Sequence, residues 1–171
     1  SMKSFQFCTN LKKVEFEKNS KLKEIQFEAF GYSDLRSFEI PENLILIDEN
    51  AFNTCRNVEN ISFSMNSKLS SLPNKIFQYS KINHLIIPSS IKKIGRSAFY
   101  DTKLESVEIL SDNLECGTDC FENYRLKIIA LPNAKKVTFE SFEEYTDREN
   151  LYIYIRAKGV IKFKFYKSYH F

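Results

Sequence analysis

Seven phenylalanines mark the chain at near-constant intervals. They are Phe5, Phe30, Phe52, Phe77, Phe99, Phe121 and Phe142, separated by 25, 22, 25, 22, 22 and 21 residues. The residue before each is mostly small: Ser4, Ala29, Ala51, Ala98, Cys120 and Ser141, with Ile76 the exception. A period in this range is the mark of a stacked-repeat architecture, because each unit is one supersecondary element that cannot bury its apolar face alone. The feature excludes a fold with a single closed core and predicts a solenoid.

Six of the phenylalanines are followed by an apolar pattern of the form L-x-x-V-x-F. It reads Leu11/Val14/Phe16, Leu35/Phe38/Ile40, Val58/Ile61/Phe63, Ile82/Leu85/Ile87, Leu104/Val107/Ile109 and Leu126/Ile129/Leu131. A second half-pattern, L-x-x-I, appears as Leu22/Ile25, Leu44/Ile47, Leu69/Leu72, Ile91/Ile94 and, degenerate, Ala134/Val137. In the fifth unit Leu114 and Cys116 occupy that region out of spacing. The connector between the halves alternates. Units one and three carry Asn19-Ser20-Lys21 and Asn66-Ser67-Lys68, whereas units two, four and six turn at Pro41, Pro88 and Pro132.

Alternation such as V-x-F describes a short strand with two inward side chains. One strand per unit, always in the same direction, gives a parallel sheet running across units. The proline has no N–H for a ladder bond, so it ends the strand. The second half-pattern and the small-Phe pair then fold back over the strand's inner face, and the Phe fills the space between stacked units.

The segment Leu35 to Cys55 reads LRSFEIPENLILIDENAFNTC. It resembles the BspA-like (Treponema pallidum-type) class of leucine-rich repeats, whose pattern is roughly L-x-x-I-x-I-P-x-x-L-x-x-I-x-x-x-A-F-x-x-C. Ile82 to Thr102 follows the same pattern, and the resemblance extends over about residues 4–145. It departs at Cys116, Gly117 and Cys120, and at Ser141 in place of Ala. The resemblance implies a curved parallel β-sheet on the concave side of a right-handed solenoid, with irregular, short helical or β segments on the convex side. It also implies a cell-surface or secreted protein that binds other proteins or cells. A β-helix is the competing fold, and the Pro-marked asymmetric halves favour the leucine-rich repeat.

The repeats are assigned to residues 1–150 and a C-terminal strand or hairpin cap to 151–171. The N-terminus opens inside a unit at Ser4-Phe5-Gln6-Phe7-Cys8, which predicts a fragment of a longer array with an open first sheet edge suited to edge-to-edge self-association. After Tyr145 a polar stretch leads to Leu151-Tyr152-Ile153-Tyr154-Ile155, then a turn at Lys158-Gly159, then Ile161, Phe163 and Phe165 alternating with Lys162 and Lys164. Lysines on an edge strand block further pairing, which suits a cap. The same lysines with Tyr166 and Tyr169 pose the alternative of a surface for nucleic acid or an anionic membrane. A formal net charge of +3 does not by itself imply nucleic acid, and no apolar run approaches a membrane span.

On the sheet, the positions between apolar anchors face solvent. From these the candidate partner-binding residues are Glu15, Glu39, Asn60, Ser62, His84, Ile86, Glu108 and Ile128. The face is polar at first and turns apolar at Ile86, Leu110, Ile128 and Ala130, and exposed apolar clusters on a sheet mark interaction surfaces. His84 has no carboxylate, Ser or Cys partner at a recognisable spacing and reads as solvated or edge-packed. No Walker loop, GxSxG or HExxH motif is present, so no enzyme, cofactor or small-molecule substrate is expected.

The four cysteines (Cys8, Cys55, Cys116, Cys120) form no CxxC, so no zinc site is expected. Cys8 and Cys55 hold repeat positions expected in the core, and Cys116 and Cys120 align with the core slots of Ile94 and Ala98. Four free buried thiols are compatible with a reducing compartment, and a Cys116–Cys120 disulfide depends on geometry. The sequon Asn60-Ile61-Ser62 falls mid-strand and reads as fortuitous, and the Lys92/Lys93 and Lys135/Lys136 clusters read as a solvated ridge. The function predicted is a protein-binding or adhesion module, with a scaffold segment of a larger protein as the alternative.

Overall fold

The structure is a computed structural model that describes residues 2–123, 125–133, 135–143, 152–155 and 160–166; of residues 137–143, 152–155 and 160–166 it describes the backbone. The described residues contain strands and turns and no helix. Each coil contributes two strands. The first of each pair are β1 (Lys13–Val14), β3 (Ser37–Ile40), β5 (Asn60–Phe63), β7 (His84–Ile87), β9 (Ser106–Ile109), β11 (Ile128–Leu131) and β13 (Tyr152–Ile155). The second are β2 (Glu24–Ile25), β4 (Leu46–Ile47), β6 (Ser71–Leu72), β8 (Lys93–Ile94), β10 (Asn113–Cys116), β12 (Lys136–Glu143) and β14 (Val160–Tyr166). The odd strands form parallel sheets β1-β3-β5 and β7-β9-β11-β13, and the even strands form β2-β4 and β6-β8-β10-β12-β14. This is the expected repeat solenoid, with β structure rather than helix opposite the first sheet.

The strand ends follow the sequence. β3, β7 and β11 stop at Ile40, Ile87 and Leu131, each directly before Pro41, Pro88 and Pro132. In the long connectors the serines act as caps: Leu22 N–H donates to Ser20 Oγ at 3.3 Å, and Leu69 N–H to Ser67 Oγ at 3.3 Å. These are local turns made by short polar side chains competing for the backbone.

The aromatic ladder is continuous over six rungs. Ring centroids lie 5.3 Å apart for Phe5–Phe30, 5.2 Å for Phe30–Phe52, 5.4 Å for Phe52–Phe77, 5.9 Å for Phe77–Phe99 and 5.4 Å for Phe99–Phe121. Phe30, Phe52, Phe77, Phe99 and Phe121 are buried, each contributing about 1.5–3 kcal/mol relative to exposure. The seventh expected rung departs. Phe142 lies in strand β12, not in a turn, opposite Phe165 and beside an irregularity between Glu140 and Phe142.

The turn that carries each rung has an unusual backbone. Residues two before and two after the Phe have positive φ: Lys3 and Phe7, Glu28 and Tyr32, Asn50 and Thr54, Lys75 and Tyr79, Ser97 and Asp101, and Asp119. None of these is glycine, although this region disfavours side chains. The bend aims alternate N–H groups along the solenoid axis. Phe5 donates to Ala29 O at 2.7 Å, Phe30 to Ala51 O at 2.8 Å, Tyr32 to Asn53 O at 2.8 Å, Phe77 to Ala98 O at 2.9 Å and Phe99 to Cys120 O at 2.9 Å. The turns therefore form a third hydrogen-bonded side.

One boundary interrupts this zipper. Among the described residues β4 does not pair with β6, Asn50, Phe52 and Thr54 make no backbone bond to the 75–79 turn, and β5 does not pair with β7. These gaps follow one continuous turn of the chain. Within it, Lys81 N–H donates to Val58 O at 2.8 Å. Part of the cause is Pro73. In other coils the residue after the second strand donates to the preceding coil: Asp48 to Ile25 O, Gly95 to Leu72 O and Gly117 to Ile94 O, at 2.8–2.9 Å. Proline has no N–H to offer Ile47, and a two-residue ladder that loses one terminal bond loses much of its hold.

Cys116 stands opposite Ile94, the core slot it aligns with. Several other expectations are corrected. In unit six Phe139, not Val137, stands opposite Cys116, because the long strand β12 slides the slot by two. The C-terminal segment is not a hairpin: β13 pairs parallel with β11 and β14 parallel with β12, so the two strands lie in different sheets and extend the stack. The expected turn at Lys158-Gly159, and Tyr169, fall outside the described residues. Cys8 is half-buried rather than core, because only its inner side meets another coil, while Cys55, Cys116 and Cys120 are buried; all four are free thiols.

Candidate functional site

The face formed by the odd strands carries the predicted residues. Parallel register aligns them into rows. His84, Ser106, Ile128 and Tyr152 are successive Cα partners, as are Ile86, Glu108, Ala130 and Tyr154. In the first sheet Lys13, Ser37 and Asn60 are aligned, and Glu39 is opposite Ser62. Alternation holds from β3 to β11: Phe38, Ile61, Leu85, Val107 and Ile129 turn into the core, and the residues between them face outward.

Four of the eight predicted residues come together. Asn60, Ser62, His84 and Ile86 line a groove of about 310 Å³, with Ile61, Phe63, Met65, Asn83 and Pro88. The groove lies between β5 and β7, where the ladder is interrupted. Its apolar lining is exposed: Ile86 keeps 43% of its surface and Met65 67%, and Ile128 further along the face keeps 39%. No part of the described chain covers these side chains. Glu108 flanks the groove beside Ile86, half-buried.

The other two predicted residues are not part of it. Glu39 lines a separate depression of about 210 Å³ with Phe16, Glu17, Lys18 and Asn43. Glu15 lies at the N-terminal end of the solenoid, ion-paired to Lys13, and the pairing holds its carboxyl below the usual value.

His84 has a partner that residue spacing concealed. Its Nδ1 lies 2.6 Å from Ser106 Oγ, one coil onward. Only the strand register reveals a contact between residues 22 apart. This is an exposed contact on the sheet surface that orients the ring. Phe63, Met65, Asn83 and Pro88 are the lining residues that sequence reasoning missed. Met65 sits just beyond β5 in the long connector, and that lengthened connector was the signal.

The opposite face offers charge instead. Lys92 and Lys135 both reach Asp112, at 2.8 and 3.2 Å, and their hydrogen bonds hold its carboxyl well below the usual carboxylate range. Lys93 stands opposite Glu115 on the neighbouring strand. Lys92 and Lys135 of the ridge are thus answered by a carboxylate of the same chain, and exposed pairs of this kind contribute little to stability.

Two of the buried thiols, Cys55 and Cys120, are pushed above the ordinary thiol value by burial. Cys55 Sγ donates to Phe30 O at 3.0 Å, and burial pushes its thiol up. Burial pushes Cys120 up further, beside Cys116. Among the described residues no group of three His, Cys, Asp or Glu side chains is placed to hold a metal ion, and no helix is long and apolar enough to cross a membrane.

Comparison with known proteins returns to the repeat. The family model of the BspA type leucine rich repeat region matches six copies, over residues 1–82 and 70–170. Among solved structures, a leucine-rich repeat protein from Bacteroides ovatus is 21% identical over 95% of this chain and 52% of its own, with a TM-score of 0.45. The pneumococcal vaccine antigen PcpA is 17% identical over 90% of this chain and 62% of its own, with a TM-score of 0.47. A leucine rich cell surface protein from Faecalibacterium prausnitzii is 12% identical over 92% of this chain and 76% of its own, with a TM-score of 0.43. The chain spans about half the length of the first of these and about three fifths of the second. No curated protein matches it.

Proposed function

Because the chain belongs to the BspA-type leucine-rich repeat family, we propose that it is a non-enzymatic protein-binding module that takes its partner on the odd-strand face, in the setting of adhesion at a cell surface. The observation that carries this reading is the exposed apolar pair Ile86 and Ile128 on the odd-strand face, with the groove between β5 and β7 beside Ile86. A groove with an apolar floor and a polar rim of Asn60, Ser62 and His84 has the composition of a protein contact, with a desolvated centre and a hydrogen-bonding edge. Glu39 and Glu108 add acid to the same face, which favours a partner with basic groups around an apolar anchor.

The test is capture of matrix and surface proteins by the immobilised chain, followed by affinity measurement on whichever partner is bound. Ile86→Glu and Ile128→Glu are expected to weaken that affinity at least about tenfold, since each removes an apolar contact and introduces a charge. Lys93→Glu, on the opposite face, is expected to leave it unchanged. A partner insensitive to both isoleucine variants and lost with Lys93→Glu overturns the reading.

A further inference from the structure

The interrupted boundary divides the solenoid along one full turn of chain. From residue 69 to residue 91, among the described residues, one backbone bond reaches the coil before: Lys81 N–H to Val58 O at 2.8 Å. The same segment is fastened to the coil after it on all three sides. Lys92 and Gly95 donate back to Ser70 O and Leu72 O, and Glu105 and Leu110 to Asn83 O and Ile87 O. Lys75, Phe77 and Tyr79 donate forward to the carbonyls of Arg96, Ala98 and Tyr100. The β6–β8 and β7–β9 ladders add to these. On the other side of the break, the β2–β4 and β3–β5 ladders hold the earlier coils together.

What crosses the break is of a different kind. The core is continuous, with Phe52 against Phe77, but apolar contact has no preferred direction, whereas a hydrogen bond weakens steeply off its axis. At the surface Arg56 lies over the Tyr79 ring, and Asn74 Nδ2 donates to Glu49 Oε1 at 2.9 Å. Two lysines clasp the break with both backbone and side chain, one at its start and one partway along. Lys68 donates from N–H to Glu42 O at 3.0 Å and from Nζ to Asn43 Oδ1 at 2.8 Å. Lys81 donates from Nζ to Asn57 Oδ1 at 2.6 Å, beside its backbone bond to Val58. Asn43 and Asn57 are themselves tied one coil further back, to Ser20 O and Asp34 Oδ1. Both lysine side-chain bonds are exposed, so water competes for them.

We propose that this break is a hinge: the coils through β5 and the coils from β6 onward move as two bodies about the connector at residues 64–68, with Lys68 and Lys81 as its clasps. Directional bonds keep each body rigid, and the apolar core between them tolerates a change of angle. Hinges place their backbone rotation in a few residues at the ends of elements, and the connector from Ser64 to Lys68 has that position between β5 and β6. Asn60 and Ser62 belong to one body and His84 and Ile86 to the other, so bending changes the width of the groove between β5 and β7.

Paired nitroxide labels test this in a Cys8→Ser background, whose remaining thiols are buried. Glu59, Asn83, Glu105 and Lys127 hold one exposed slot in successive coils. Glu59→Cys/Glu105→Cys spans the break and Asn83→Cys/Lys127→Cys does not, yet each pair is two coils apart, about 10 Å by strand spacing. Dipolar broadening of their spectra is expected to give the first pair a spread of separations at least about twice that of the second. Lys68→Met/Lys81→Met is expected to widen the first spread and leave the second unchanged. Circular dichroism checks that the labelled variants stay folded. Equal spreads for the two pairs overturn the hinge, and a first spread indifferent to the lysine changes overturns their role as clasps.

Discussion

The coils before and after the β4–β6 boundary obey the same side-chain rule and differ in their backbone. On both sides a buried Phe stacks on the next at 5–6 Å, and Leu or Ile anchors fill the same slots. Between the coils of β6 and β8 the turns and strands are zipped by Phe77, Tyr79 and Gly95 donating across the boundary. Between the coils of β4 and β6 the corresponding Asn50, Phe52 and Thr54 donors have no such acceptor among the described residues, and Pro73 has no hydrogen to give. The rings nonetheless stay in contact, Phe52 to Phe77 at 5.4 Å with a tilt of 46°. The apolar repeat therefore decides that coils stack, and the backbone donors decide how firmly each boundary is held.

The largest expected effect comes from forcing a second gap into the zipped side. A Cβ on Gly95 would fall 2.5 Å from Asn74 N and 2.6 Å from the Pro73 carbonyl carbon, both backbone atoms that cannot step aside. Gly95→Ala is expected to cost about 3 kcal/mol, read as a lower denaturant midpoint. Gly31→Ala, whose Cβ would meet nothing closer than 3.4 Å, is expected to cost under about 1 kcal/mol.

Next in size is a transplant of the gap. Asp48→Pro removes the bond from residue 48 to Ile25 O at 2.8 Å and is expected to cost about 1–2 kcal/mol. The reverse change, Pro73→Ala, supplies an N–H toward Ile47. The gained bond and the lost proline restriction are each about 1 kcal/mol, so net stability is expected to hold within about 1 kcal/mol while the residue-73 amide becomes protected from hydrogen exchange. A residue-73 amide that exchanges as fast as an exposed loop would break the comparison. In the wild type, the Phe52 and Thr54 amides are expected to exchange about tenfold or more faster than those of Phe77 and Tyr79.

The smallest effects concern the turns. Lys75→Gly removes the penalty of a side chain at φ 55° but adds backbone entropy to the unfolded chain, for a net gain of no more than about 0.5 kcal/mol. Thr54→Gly, relieving a β-branched residue at φ 59°, is expected to gain about 1 kcal/mol. Equal gains in thermal melts would show that the unbonded turn is no more strained than the bonded one.

Much of the fold was legible because it is periodic. The Phe spacing and the V-x-F alternation located the strands, and Pro41, Pro88 and Pro132 marked where three of them end. The interruption was not legible from spacing, since Phe5 to Phe30 and Phe52 to Phe77 are both 25 apart and only the first pair is joined by backbone bonds. The turns were hidden because left-handed residues are usually betrayed by glycine, and here they are Lys, Phe, Glu, Tyr, Asn, Thr, Ser and Asp. Within the candidate site, Ile86 and Ile128 were visible as apolar residues at outward positions. The His84–Ser106 contact and the part played by Met65 needed the register and the long connector to be placed in space.

The interruption also has a mechanical meaning. A pull along the solenoid axis loads every coil boundary in series with the same force. Hydrogen bonds spread around three sides share that load at most boundaries, whereas beside Pro73 the even-strand and turn bonds are missing among the described residues and the load falls on the β3–β5 ladder, on single bonds such as Lys68 N–H to Glu42 O, and on side-chain packing. Packing contacts act over shorter distances and resist extension less stiffly than a row of aligned bonds. Under tension the chain would yield there first, with the β6–β14 block still zipped, so that one proline sets the point at which a tethered molecule lengthens.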